Sequence, residues 1–189
     1  MLQPQGNEYK KEQEANEKFT FEEALDILFA HQNKMLPEQY FKGGTELRPR
    51  IFKTEILLNN RLTNAIYKIA DFTKDHKQAL KLFNEYLSIV TLKQNNCILR
   101  SYGFYVNKEL EKISFLYECL EDTLEHFIFM KSLDLDKRLI LTKKIIETLI
   151  HIHSKGLVLL DLSPRNIMFD NNWKMRFTKF GKFYIILRE

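Results

Sequence analysis

The sequence predicts an α+β fold in which a strand-rich stretch is followed by a helical one. Three observations predict it. From residue 39 to 119, apolar runs of strand length alternate with turn residues and frame one helix-periodic segment. From residue 120 onward the apolar positions adopt helical spacing, and short strand-like runs then close the chain. Hydrophobic residues make up 44% of 189, enough to bury a single core rather than leave the chain disordered.

The elements follow in order. Residues 1–38 read as a polar N-terminal extension carrying one short helix. Thr20 followed by Glu23 fits a capping box, and Phe21, Leu25, Leu28 and Phe29 then fall on one helical face. That face can pack on the body of the domain or serve an interaction segment. Gln39-Tyr40-Phe41 reads as strand-like and leads to Gly43-Gly44. Ile51–Leu58 and Leu62–Ile69 are strands around an Asn59-Asn60 turn. Residues 77–92 have helical periodicity through Leu80, Leu82, Phe83, Leu87 and Val90. Cys97–Val106 and Lys112–Cys119 read as strands around Asn107-Lys108.

Beyond this point Leu124–Met130 reads as a short helix and residues 134–153 as a long amphipathic one. In the long helix Leu139, Leu141, Ile145, Ile146, Leu149 and Ile152 are apolar, and Lys137, Lys143 and Lys144 are solvated. Gly156 ends it as a left-handed cap would. Strands at Leu157–Leu160, Ile167–Phe169 and Met175–Thr178 follow, the last two joined by an Asn171-Asn172 turn.

Composition narrows the function classes. A net charge of +4 spread along the chain is mild, so no specific nucleic-acid binding is expected. Cys97 and Cys119 have no metal-ligand spacing and read as reduced thiols. The first residues are polar with no apolar core behind them, so no secretory signal is expected. The longest apolar runs, such as Tyr184-Ile185-Ile186-Leu187, are too short to span a bilayer. A cytoplasmic or nuclear location is the expectation.

The chemistry-bearing residues lie near the end. Asp161 and Asn166 flank Leu162-Ser163-Pro164-Arg165, and Lys179-Phe180-Gly181 follows downstream. A loop Asp before Ser-Pro also caps turns, and an Asn opening a strand also makes Asx-turns. Upstream, Ala65-Ile66-Tyr67-Lys68 ends a strand and Glu85 lies in the following helix. The order Lys68, Glu85, Asp161, Asn166 resembles the protein kinase family, whose strand motif V-A-I-K, catalytic loop H-R-D-L-x-x-x-N and D-F-G have this sequence order. The resemblance covers residue 40 to the end. It implies a small β-rich lobe (39–119) and the first, helical part of a large lobe (120–189) that stops at the start of the activation segment.

The resemblance also implies roles. Asp161 takes the place of the residue that accepts or orients the substrate hydroxyl proton, and Asn166 that of a second metal ligand and brace of the loop. Lys68 would contact the phosphates of ATP and pair with Glu85. Glu118 and Cys119 would be hinge positions whose backbone meets the adenine edge, with Tyr117 at the back of the pocket. Gly43 and Gly44 are what remains of the glycine-rich loop, whose backbone N–H groups close over phosphates.

Two further departures accompany that reduced loop. Leu159 and Leu160 replace the His and Arg before the catalytic-loop Asp, which removes the grip on a phosphorylated activation loop. Lys179 replaces the Asp that binds Mg2+. A lysine repels the divalent cation that a carboxylate would hold, and losing a charge stabiliser of this type costs on the order of 3–4 kcal/mol at the transition state. Two arrangements are physically sensible for Lys179. It contacts the phosphates itself, or it pairs with Glu85 or Asp161 and holds a closed site.

These features imply a protein-kinase-like domain of impaired catalysis that binds ATP weakly or serves as a signalling and interaction module for a protein partner. The alternative is an active ATP-dependent kinase, serine/threonine or tyrosine-kinase-like, acting on protein substrates. A nucleotide-free structural scaffold is the third reading.

Overall fold

A computed structural model describes residues 19–30, 35–41, 44–58, 60–130 and 134–180, together with the backbone of 183–185. Five strands, β1 (Thr45–Arg48), β2 (Ile51–Leu58), β3 (Arg61–Asp71), β4 (Ser101–Asn107) and β5 (Lys112–Glu118), form one antiparallel sheet in the order β1-β2-β3-β5-β4. The β2–β3 hairpin pairs without interruption from Ile51↔Lys68 to Leu58↔Arg61. Asn60 turns it at φ 61°, a left-handed conformation that asparagine tolerates. Asn59 lies outside the described residues.

Helix α2 (His76–Thr91), predicted from its periodicity, starts at Asp75, whose side chain accepts from the Gln78 N–H at 3.0 Å. It buries Leu82, Phe83, Tyr86 and Ile89 against β3 and β5, and Tyr86 stacks on Phe115 at 4.5 Å. Helix α1 (Phe21–Ala30) begins with the expected capping box, Glu23 N–H to Thr20 Oγ1 at 3.2 Å and Thr20 N–H to Glu23 Oε2 at 2.7 Å. Phe21, Ala24, Leu25 and Leu28 are buried in the same core as α2, so this face packs on the body of the domain.

Two strand expectations are corrected. Residues 39–41 belong to a single 3-10 turn, Glu38–Phe41. Phe41 packs there on Tyr67 and Tyr105, both at 5.5 Å, and three residues are too few to show a strand period. The strand placed at Cys97–Val106 starts only at Ser101, because Asn95 and its neighbours form a turn in which the Cys97 N–H bonds Asn95 Oδ1 at 2.7 Å.

Asp71 ends β3 and holds the following turn. Its carboxylate accepts from Thr73 Oγ1 at 2.8 Å and Lys74 N–H at 3.1 Å, and pairs with Lys112 Nζ at 3.3 Å. Burial alone would raise this carboxyl, but those donors outweigh it and lower its pKa. A lowered folded-state pKa stabilises the fold above the unfolded carboxyl's range, and the contribution is lost as pH falls through the folded value. Asp71→Ala is therefore expected to lose about 2 kcal/mol at pH 7. Urea denaturation should show the gap to the parent narrowing below about pH 3. Equal stability at pH 7 would contradict this.

The second half contains β6 (Asp122–Thr123), α3 (Leu124–Met130), α4 (Leu135–Ser154), β7 (Leu157–Leu159), a 3-10 turn (Pro164–Asn166), β8 (Ile167–Phe169), β9 (Met175–Phe177) and β10 (Phe183–Ile185). Strands β6, β8 and β9 form a three-stranded antiparallel sheet, and β7 pairs with β10. Gly156 follows α4 at φ 74°, the left-handed end expected of it. Only Thr148 and Ile152 of α4 are buried, with Leu141, Ile145 and Leu149 packed partly against the core. Leu139 and Ile146, assigned to the apolar face, are exposed. Strand β9 is tied back to the first half through Phe177 N–H to Cys97 O at 2.7 Å and Leu99 N–H to Phe177 O at 3.0 Å.

Candidate functional site

Between the five-stranded sheet, α2 and the β8–β9 hairpin lies a cleft of about 550 Å³. Side chains alternate along a strand, so Ile66 and Lys68 of β3 face the cleft while Tyr67 points to the other side of the sheet. Tyr117, opposite Ile66 in the register, closes the back.

Lys68 Nζ is ion-paired with Glu85 of α2, and Glu85 is buried. The ammonium lies 5.3 Å from the centre of the Tyr117 ring, a favourable place for a cation. The pair joins sheet to helix and fixes Lys68 on the cleft wall.

On the facing side, Asn166 braces the loop before it. Its Nδ2 donates to Asp161 O at 2.8 Å, and its own carbonyl accepts from Thr178 N–H at 3.0 Å. Asn166, Thr178 and Lys179 line the cleft. Lys179 Nζ is ion-paired with Asp161 Oδ2. Of the two arrangements open to Lys179, the structure contains the pair with Asp161. Both side chains are more than a third exposed, so the pair contributes about 1 kcal/mol or less.

The glycines lie elsewhere. Gly43 is outside the described residues. A Cβ on Gly44 would come within 2.9 Å of Tyr67 Cε1 and 3.0 Å of Lys53 O. Glycine is thus required by packing on the face of the sheet away from the cleft. The edge over the cleft is a tight β1–β2 turn at Pro49-Arg50, with Arg50 at φ 66°, and Leu47, Arg48 and Ile51 line the cleft beneath it. At the end of β5, Glu118 and Leu120 line the cleft, whereas Cys119 is not among the lining residues.

The side chain of Glu118 is committed elsewhere. It accepts from Arg176 Nε at 2.6 Å and from Arg100 N–H at 2.8 Å, and Arg176 Nη1 also donates to Asn96 O at 2.5 Å. Arg176 is 5% exposed and Glu118 9%. This buried knot ties β9 to the end of β5 and to the turn after α2. Sequence reasoning missed it; the available signal was a lone arginine inside the apolar strand Met175-Arg176-Phe177.

Tyr117 Oη is buried without a hydrogen-bond partner among the described residues. Burial, with Glu85 and Tyr86 adding to it, pushes its phenol well above the usual range. Tyr117→Phe is expected to leave stability unchanged or raise it by up to about 1 kcal/mol, because an unmade hydrogen bond disappears. A loss above about 1 kcal/mol in chemical denaturation would mean the hydroxyl is bonded.

The Protein kinase domain family matches residues 55–185, which run from β2 through β10 and contain both ion pairs. The chain belongs to the protein kinase family. The serine/threonine-protein kinase cds1 of Schizosaccharomyces pombe is 25% identical to it over 109 residues, which is 58% of this chain and 24% of that protein. The match thus spans about a quarter of the relative's length.

Protein kinases as a family use ATP and Mg2+, and the side chains here fit the two differently. The cleft offers an apolar wall and cations suited to a nucleotide. A divalent cation beside residue 179 would meet the Lys179 ammonium, and the Asp161 carboxylate already carries that ammonium. Among the described residues no group of three or more His, Cys, Asp and Glu side chains could hold a metal ion. No described helix is long and apolar enough to cross a membrane.

Proposed function

We propose that this chain is a nucleotide-binding, protein-kinase-like module of impaired phosphotransfer that serves signalling by engaging a protein partner. The supporting observation is the Lys179–Asp161 ion pair. It joins the position where the family holds its metal to the position where the family holds its proton acceptor. A carboxylate neutralised by an ammonium is a poorer base, and the same ammonium repels the cation that would screen the transferring phosphate. Lys68, held by Glu85, is the residue assigned to phosphate contact. The hinge backbone at Glu118 and Cys119 is assigned to the adenine edge, and Asn166 to bracing the loop rather than to metal. In this reading residues 39–119 form the small lobe and 120–189 the beginning of the large one.

A second reading, an active ATP-dependent protein kinase, is favoured by the formed Lys68–Glu85 pair and by the serine/threonine-kinase relative. Incubation with γ-labelled ATP, Mg2+ and a generic protein substrate separates the two. The proposal expects no transfer of label to the chain or to the substrate. Transfer approaching the roughly 1–100 s⁻¹ of kinases would overturn it in favour of the second reading.

A further inference from the structure

We infer that Arg48 and Lys81 form, with Lys68, a side-chain clamp for the phosphates of a metal-free nucleoside triphosphate, taking over the task of a backbone lid. The inference rests on the nucleotide-binding reading and names the charge state of the ligand and the residues that select it.

The register supplies the first half. Arg48, just past a bulge in β1, pairs with Ile51, and Ile51 pairs with Lys68, so the three stand side by side across β1, β2 and β3. Directly opposed residues project to the same face of a sheet, and all three line the cleft. Two strand spacings of about 4.8 Å put Arg48 about 10 Å from Lys68. The helix supplies the second half. Lys81 precedes Glu85 by one turn of α2, on the same face. Lys81 and Glu85 both line the cleft. Arg48 and Lys68 therefore face the cleft from the sheet and Lys81 faces it from α2.

Charge pairing separates the open cations from the committed ones. Lys68 is held by Glu85, Arg165 by Glu125 at 3.1 Å, and Lys179 by Asp161. Glu118, the other acidic residue of the lining, is committed to Arg176. Arg48 and Lys81 have no ion pair among the described residues. An anion entering the cleft thus meets uncompensated positive charge and no free carboxylate on the lining. The turn above offers Pro49, which lacks an N–H, and an Arg50 N–H that already donates to Glu46 Oε1 at 3.3 Å. The turn thus presents no free N–H from Pro49 or Arg50, and the cations of the lining are the side chains placed to hold phosphate. Such a site favours the most highly charged ligand, so magnesium, which cancels part of the triphosphate's charge, weakens binding.

Isothermal titration of the chain in EDTA with adenosine, AMP, ADP and ATP tests this. Affinity is expected to rise with each phosphate, and for ATP to fall when excess Mg2+ replaces EDTA. Lys81→Gln is expected to weaken ATP about tenfold and Arg48→Gln, at an exposed position, about threefold, with adenosine affinity unchanged in both. Adenosine binding with phosphates that add nothing, or variants that bind ATP as the parent does, would overturn the clamp and leave the nucleotide reading standing. A folded parent that binds neither adenosine nor ATP would overturn both.

Discussion

Replacing Arg176 by Met is expected to destabilise the chain by about 3 kcal/mol, the range seen when one partner of a buried ion pair is removed. The guanidinium bridges Glu118 at the end of β5 and the Asn96 carbonyl after α2. Without it the Glu118 carboxylate stays buried with the Arg100 N–H as its remaining donor. Desolvation of that charge then opposes folding. Adding Glu118→Gln to the Met variant removes the charge, so the double variant should lose less than the sum of the two single losses. Chemical denaturation of the four proteins closes the cycle. A single-variant loss below about 0.5 kcal/mol would mean the knot is solvated in solution.

The second large effect is functional. Lys179→Asp removes the ammonium from Asp161 and places a new carboxylate beside it and Asn166, an oxygen-rich set suited to a divalent cation. ATP binding should become magnesium-dependent, with affinity at saturating Mg2+ at least tenfold higher than in EDTA, a difference of about 1.4 kcal/mol. In the parent the same comparison should run in the opposite direction. Adjacent like charges in the variant raise the carboxylates' proton affinity, so the gain should be larger at pH 8 than at pH 6. A variant whose ATP binding ignores magnesium would mean that Lys179 is not what excludes the metal.

Long, strongly patterned elements were legible in the sequence. Ile51–Leu58, Leu124–Met130 and Ile167–Phe169 occur with the bounds their patterns suggest, and the long helix is displaced by one residue at each end. The run at 39–41 was not, because Tyr40 and Phe41 have strand-like side chains but pack from a 3-10 turn. The order of Lys68, Glu85, Asp161 and Asn166 contained both partners of one ion pair and the carboxylate of the other, and Lys179 was recognisable by its place in a motif. Arg176 carries no motif, Glu118 was read only as a backbone contact, and the two are 58 positions apart, so only the docking of β9 against the end of β5 unites them. Arg48 and Lys81 were invisible for a similar reason: register across three strands and one helical turn aligns them. Gly44 reads as part of a phosphate loop in sequence, yet the space around it is closed by Tyr67 and Lys53.

The central claim is that the Lys179–Asp161 pair excludes the metal, so that nucleotide binds without one. A thermal-shift titration of the purified chain with ATP, once in EDTA and once in excess Mg2+, tests it most directly. Stabilisation in EDTA that is equal to or greater than that in Mg2+ is the predicted result. Stabilisation that requires Mg2+ would contradict the claim.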